Sequence, residues 1–328
     1  MGTTSHLSSV PEPATLSLLH NKLADWFHNN GRDLPWRTLL RNSPECTAWG
    51  ILVSEIMLQQ TPVVRVLPVW EQWMQRWPTP DALAAEPSGE AVRAWGRLGY
   101  PRRALRLHAA AIAITEEYDG EVPAAYQDLL SLPGVGSYTA AAVSAFAYGR
   151  RTTVVDTNIR RVHARLVSGT ALPAQSLTAA ETQLANELLP EDPAESVMWN
   201  AAVMELGALI CTARSPKCAQ CPVAAQCQWR AQGEPPPSYI PKGQPWHGTD
   251  RQLRGAVMAV LREAEQPVAE GAFFVAPVDL HLDSECISVP LAALHRLNPE
   301  PERLERILAG LVNDGLAKRS PAGIQLPS

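Results

Sequence analysis

Apolar side chains recur at helical spacing over almost all of the first two thirds of the chain. Segments 16–29, 49–60, 68–76, 89–98, 102–118, 126–131, 137–148, 157–167, 178–188 and 193–210 each carry such a stripe and are predicted helices. Turn signals at Pro78-Thr79-Pro80 and Asp119-Gly120 separate them. Only 152–155, Thr-Thr-Val-Val, reads as extended. The pattern predicts an all-α unit over 16–232, preceded by a Ser/Thr/Pro-rich disordered tail at 1–15.

The pattern then changes. Gly233-Glu234-Pro235-Pro236-Pro237-Ser238 opens a stiff, extended linker over 233–248. Beyond it, 249–328 carries helical stripes at 250–264, 289–297 and 302–313. Asp314-Gly315 then turns into a hairpin-like 316–326. Three helices and a terminal hairpin suggest a small winged-helix-like α+β domain. No internal repeat is evident.

Composition narrows the function classes. Of 328 residues, 46% are hydrophobic and 19% charged, which supports packed cores and excludes a disordered chain. A net charge of −5 argues against a protein that coats nucleic acid through bulk positive charge. The basic residues are unevenly placed, however. Residues 91–110 hold Arg93, Arg97, Arg102, Arg103 and Arg106 with no acid. Residues 146–165 hold Arg150, Arg151, Arg160, Arg161 and Arg165 against Asp156 alone. Such local windows suit a surface that tracks phosphates. Lysine is scarce: only Lys22, Lys217, Lys242 and Lys318 occur.

The least charged run, 47–64, contains Gly50, Glu55, Gln59, Gln60 and Pro62, which is wrong for a membrane span. With no basic leader followed by an apolar core at the start, the expected location is the cytoplasm, associated with the nucleoid when bound to DNA. Thiols stay reduced there, so clustered cysteines indicate metal. Cys211, Cys218, Cys221 and Cys227, spaced C-x6-C-x2-C-x5-C, form such a cluster in a loop. Structural zinc generally uses two short chelating pairs, and only Cys218 and Cys221 are that close. The spacing fits a four-thiolate iron–sulfur cluster better. Cys46 and Cys286 are isolated and read as ordinary half-buried thiols.

Glu55 is the only charge between Thr47 and Val64, with Ile51, Leu52 and Leu58 as helical neighbours. Burial on that face raises a carboxyl pKa, as a general acid near neutrality requires. A partly exposed Glu paired with Arg65 is the competing reading. Leu132-Pro133-Gly134-Val135-Gly136 precedes the small-residue helix at 137–148, where successive N–H groups can take a phosphate; a plain interhelical turn is the alternative. Asp156 opens the helix at 157 as an N-cap. Bonds from helix N–H groups are expected to keep its pKa low, so that Glu55 and Asp156 titrate apart. That is the acid-plus-stabiliser arrangement of glycosidic bond cleavage.

Seven motifs in order carry a resemblance over roughly 16–230: Leu34-Pro35-Trp36-Arg37, Ser54-Glu55-Ile56-Met57-Leu58-Gln59-Gln60-Thr61, Leu98-Gly99-Tyr100, the Leu132–Gly136 hairpin, Val155-Asp156-Thr157-Asn158, Glu205-Leu206-Gly207-Ala208-Leu209-Ile210-Cys211 and the cysteine spacing. Together they resemble the helix-hairpin-helix DNA glycosylases with a [4Fe-4S] cluster, and within them the MutY-type adenine glycosylases. The resemblance implies a monofunctional glycosylase that flips out adenine paired with 8-oxoguanine or guanine in duplex DNA, acting as a monomer. It implies Glu55 as acid, Asp156 as stabiliser or nucleophile, and Asn158 and Tyr138 as their supports. Arg32, Trp36, Arg37 and Leu58 are implied around the adenine. Gln60, Thr61, Leu98 and Tyr100 are implied in the duplex, and Gly134, Val135 and Gly136 on the backbone. The cysteines are implied as ligands of a structural or DNA-positioning cluster.

Endonuclease III-type relatives differ by a Schiff-base lysine where this chain has Tyr138. The absence of lysine between Lys22 and Lys217 independently removes any candidate for amine-driven lyase chemistry. A thymine glycosylase on the same scaffold is a rival that would not need Glu55 in its motif. A non-catalytic damage binder or redox-sensing cluster protein is another, which would need neither carboxylate. The chain departs from the MutY pattern in three places. Its C-terminal segment is too short for the usual Nudix-like domain and lacks the acidic Nudix motif. Ala201 stands where Glu or Gln commonly faces the adenine. Segment 38–53 is longer than usual.

Overall fold

The computed structural model describes residues 10–37, 47–240, 243, 245–275 and 285–328. Residues 1–9 of the expected tail, Cys46 and most of the long 38–53 segment lie outside these. In chain order the helices are α1 (Pro13–Asn30), α2 (Ala48–Leu58), α3 (Val63–Arg76), α4 (Pro80–Ala84), α5 (Ser88–Ala94), α6 (Arg102–Glu117), α7 (Tyr126–Ser131), α8 (Ser137–Tyr148), α9 (Thr157–Leu166), α10 (Ala179–Glu187), α11 (Pro193–Leu209) and α12 (Gln228–Ala231). The C-terminal segment adds α13 (Asp250–Glu263), α14 (Ser288–His295), α15 (Pro301–Asn313) and the strands β1 (Lys318–Ser320) and β2 (Gly323–Gln325). No helix among the described residues is long and apolar enough to cross a membrane.

The chain folds into two compact units. One comprises the chain up to Leu52, Ala124–Ser131 and Val135–Pro241; the other comprises Val53–Pro123, Leu132–Gly134 and Lys242–Ser328. This division cuts across the linear one expected from the sequence, because the residues beyond the linker cluster with 53–123.

In the first unit α11 lies at the centre, packed by α1 and α9. Leu19, Leu23 and Phe27 repeat every four residues on α1. They meet Ile159, Val162 and Leu166 of α9 and Val197, Ala202, Val203 and Leu206 of α11. α1 starts at Pro13, whose fixed φ suits a first helical position, so 13–15 are helix rather than tail. Asp192 caps α11 by accepting from the Glu195 N–H at 3.0 Å. His163 is enclosed beside Trp199, and burial alone lowers its pKa to about 4, so it is neutral at pH 7.

In the second unit an edge-on tryptophan cluster, Trp73 with Trp77 and Trp95, joins α3 to the end of α5. Several elements differ from the pattern-based expectation. Pro68 lies inside α3 rather than at its start. The Pro78-Thr79-Pro80 turn opens α4, capped by the Thr79 hydroxyl accepting from Ala82 N–H. The helix expected over 89–98 stops at Ala94, because Gly96 and Gly99 take left-handed conformations, φ +55° and +88°.

Segment 152–155 is extended in pattern only. Among the described residues the only sheet is β1–β2, with Val268 bridging Ile324 beside it. Thr152 is instead held by side chains: its carbonyl accepts from Asn200 Nδ2 at 2.9 Å and its hydroxyl donates to Ser144 Oγ at 3.1 Å. Val154 fills the core. In the C-terminal segment α13, α14, α15 and the β1–β2 pair are the helices and hairpin that the sequence pattern suggested, within the second unit. Cys286 is exposed rather than half-buried.

Candidate active site and cluster loop

α2 is apolar on nearly every face, and the structure buries it accordingly, from Trp49 through Met57. Glu55 lies within this run with 4% of its surface exposed, which removes the reading of an exposed edge residue. Leu58 is half-buried at the helix end.

Two loops of the second unit meet just beyond it. Gln60 turns the chain with φ +58°, and the Thr61 hydroxyl donates to the Leu98 carbonyl at 3.3 Å. Arg65 donates to the Arg97 carbonyl, while the Arg103 guanidinium donates to the Gln59 carbonyl and stacks 4.5 Å from the Tyr100 ring centroid. Gln60, Thr61, Leu98 and Tyr100 are thereby brought together. Only Gln60 and Tyr100 are exposed; Thr61 and Leu98 are buried, so Leu98 holds the loop from within instead of projecting as a wedge. Left-handed backbone at Gln60 and at Tyr100 (φ +49°) places two side chains in conformations that L-residues rarely adopt. Arg103 was missed by the sequence reading except as one member of a basic window.

The hairpin between α7 and α8 needs its first glycine. Gly134 has φ +82°, and a Cβ there would lie 2.7 Å from the Arg106 Cβ. Gly136 is extended and exposed, with open space where a Cβ would be. Val135 buries its side chain, leaving only its backbone for any ligand.

In the first unit Asp156 caps α9: its Oδ1 accepts from Ile159 N–H at 2.6 Å and its Oδ2 from Asn158 Nδ2 at 2.8 Å. Asn158 Oδ1 accepts from Arg161 Nη2 at 2.8 Å. Arg161 also reaches the Gly207 carbonyl at 2.6 Å and the Cys211 carbonyl at 2.7 Å. The continuous path runs from the aspartate to the cluster loop. It needs Gly207, since a Cβ there would lie 2.7 Å from the Asn158 Cβ. The expected low pKa of Asp156 is corrected. Burial pushes its carboxyl above the ordinary aspartate value and outweighs the Ile159 and Asn158 bonds and the Arg161 charge, all of which pull it down. Tyr138 is half-buried and packs against the core of this unit.

Arg32 and Arg37 are both committed to Glu205. Arg32 Nε and Nη2 lie 2.8 and 2.7 Å from the two Glu205 carboxylate oxygens, its backbone N–H donates at 2.9 Å, and Arg37 Nη2 lies at 2.6 Å. Glu205 is fully enclosed. Despite its burial, these donors hold its pKa at about 2. Trp36 is buried between the two arginines in sequence, and Ala201, one turn earlier on α11, fills core space. In the sequence Glu205 is marked only by the Glu205–Cys211 motif. Its signal was the same as that of Glu55, a lone charge in an apolar helical run. Glu205→Ala leaves two cations without their buried acceptor. It is expected to lower the unfolding free energy by about 3 kcal/mol in urea titrations at pH 7. The contribution is present above the usual glutamate range and is lost as pH falls from there toward 2. An unchanged midpoint would refute this.

Cys211, Cys218, Cys221 and Cys227 are all half-buried free thiols around α12 and two short 3₁₀ turns. Burial raises the pKa of Cys218, Cys221 (to about 11) and Cys227, and each is raised further by its neighbours. Four sulfur donors with a single close pair, Cys218 and Cys221, suit an iron–sulfur cluster. Arg165 braces the loop: Nη1 lies 3.3 Å from Cys211 Sγ and 2.8 Å from the Thr212 carbonyl, and the guanidinium stacks on Trp229. Four thiolates here suit an iron–sulfur cluster. Cys218→Ser with Cys221→Ser is expected to abolish the brown colour and bound iron of the protein. A colourless, zinc-loaded wild type would contradict the assignment.

Residues 53–187 match the family model of the HhH-GPD superfamily of base excision DNA repair proteins, and 211–227 match the iron–sulfur binding domain of endonuclease III. An adenine DNA glycosylase of Mycolicibacterium smegmatis is 44% identical over 94% of this chain and 95% of its own length. One from Mycobacterium tuberculosis is 46% identical over 81% and 87%. The human adenine DNA glycosylase is 39% identical, with 67% of this chain matching 41% of that protein. Among solved structures, a thermostable thymine-DNA glycosylase (27% identity, TM-score 0.59) covers 67% of this chain. Endonuclease III in a covalent DNA complex (22%, 0.57) shares the fold over 68%.

Proposed function

Because the chain belongs to the adenine DNA glycosylases of base excision repair, we propose that its substrate is adenine opposite 8-oxoguanine or guanine in duplex DNA, and that it acts as a monomer. The observation carrying this reading is the enclosed Glu55 at the head of an exposed Gln60–Tyr100 surface, both within the second unit. A buried carboxyl suits protonation of a leaving base, and exposed polar and aromatic groups on left-handed turns suit contact with the base left unpaired.

Glu55 protonates the departing adenine and then helps to activate water. Asp156, fixed by Ile159 N–H and Asn158, faces the positive charge that develops on the sugar; its carboxylate stabilises that charge or adds to it transiently. Tyr138 supports the carboxylates. Gly134, Val135 and Gly136 offer backbone N–H groups to a phosphate. Arg32 and Arg37, both fixed on Glu205, Trp36 and Leu58 are assigned to recognition of the adenine. Ala201 supplies no polar group, so recognition of adenine rests on these others. Without lysine in the catalytic region, release of the base ends the reaction and the strand is left uncut.

Single-turnover assays test this on duplexes carrying A opposite 8-oxoguanine, A opposite G, and T opposite G, with alkali to reveal abasic sites. Adenine is released fastest from the first and more slowly from the second, thymine is not released from the third, and no strand is cut without alkali. Equal rates on the first two duplexes would remove the 8-oxoguanine preference. Thymine release would favour the thymine glycosylase.

A further inference from the structure

The C-terminal segment packs against α5 and α6, and its contacts bracket one loop. Arg262, near the end of α13, is inserted toward α5: its Nε donates to the Val92 carbonyl at 3.1 Å and its own carbonyl accepts from Arg93. Burial and the nearby Arg97 lower its pKa to about 10, the signature of a guanidinium taken out of water to make this contact. At the other side, Asp314 after α15 pairs with Arg102, the first residue of α6, at 3.3 Å and also with Arg254. The chain end closes the bracket. A Cβ on Gly89 would collide with the Pro327 carbonyl, so only glycine allows this approach.

Between these anchors lies 95–101, with Gly96, Gly99 and Tyr100 all left-handed and the Trp95 indole N–H donating to the Gly99 carbonyl at 2.8 Å. The two glycines adopt this backbone freely, whereas at Tyr100 it is strained and persists only where the surroundings over-determine it. A reading role for the segment is poorly supported by its charges. Arg303 and Arg306 share Asp250, and Arg319 pairs with Glu270 and Glu305, so these three guanidiniums already have carboxylate partners within the segment.

We propose that the C-terminal domain is a brace for the 95–101 loop, with Arg262 and Asp314 as positioning residues that hold Tyr100 in its exposed, left-handed conformation for the duplex. This rests on the role given to Tyr100 above. The full chain tests it. Arg262→Met and Asp314→Asn are each expected to speed amide hydrogen exchange in 95–101 about tenfold while the α1–α11 core is unchanged. They weaken binding to A·8-oxoguanine duplex about five- to tenfold, with single-turnover rates at saturation within twofold of wild type. Arg262→Lys, which keeps a donor, recovers part of both effects. Unchanged exchange in both variants would overturn the brace, whatever happens to activity. Faster exchange with unaltered duplex binding supports the brace and instead removes Tyr100 from duplex contact. A drop of about two in the salt-dependence slope for Lys318→Gln with Arg319→Gln would make the segment a DNA reader and overturn the proposal.

Discussion

Glu55→Gln is expected to keep its fold and its affinity for A·8-oxoguanine duplex while adenine release slows by about three orders of magnitude, within the range of general acid catalysis. The amide has the volume of the carboxyl and fits the same enclosed position between Ser54 and Ile56, so packing is preserved. What it lacks is the proton. Adenine leaves poorly as an anion, and a carboxamide has no proton acidic enough to give it. Single-turnover release and a binding titration on the same duplex separate the two effects. Release within tenfold of wild type would sink the role of Glu55.

Asp156→Asn is expected to cost a similar factor of about a thousand, for a different reason: the neutral amide still caps α9 but carries no charge to set against the developing sugar cation. Stability should move the other way. The folded-state pKa of Asp156 is raised, so its favourable contribution is full below the ordinary aspartate range and is lost as pH rises through the raised value. At pH 7 the ionised side chain is held at a cost, and Asp156→Asn should melt at a higher temperature than wild type. In the wild type the same shift puts the acid limb of the rate profile above the usual aspartate range. Asn158→Ala, which removes a bond that favours the ionised form, should move that limb further up. A limb at or below 3.8 would contradict the assignment. An active site that is more stable when disabled is a familiar trade between function and stability.

Much of the site is legible in the sequence because its chemistry is marked locally. Glu55 stands alone in an apolar helical run, and the four cysteines lie within one short loop. Gly134 stands in the local Leu-Pro-Gly-Val-Gly turn signal at 132–136. Each signal depends on residues a few positions apart, and a helix or turn preserves such spacing whatever the rest of the chain does. Helix boundaries follow for the same reason, and the misses come where local punctuation was misread. The two prolines around Thr79 open a short helix, and two glycines end α5 early.

Partnership across long sequence separations has no such marker. Glu205 meets Arg32 and Arg37 across 173 and 168 residues, and Arg161 reaches the cluster loop across 50. The raised pKa of Asp156 has the same origin. The sequence shows the capping bonds that lower it, whereas the desolvation that wins comes from atoms brought in by other helices. By itself the sequence determined the helical fold and the cysteine cluster and singled out Glu55 and Asp156 as candidates, since periodicity, spacing and residue type are written along the chain. Only the tertiary structure decided that Arg32 and Arg37 are fixed on Glu205 and that Leu98 and Val135 turn inward. It also decided that the residues beyond the linker pack against α5 and α6. Burial and charge pairing are properties of surfaces that meet in space, and no local stretch of sequence records which surfaces meet.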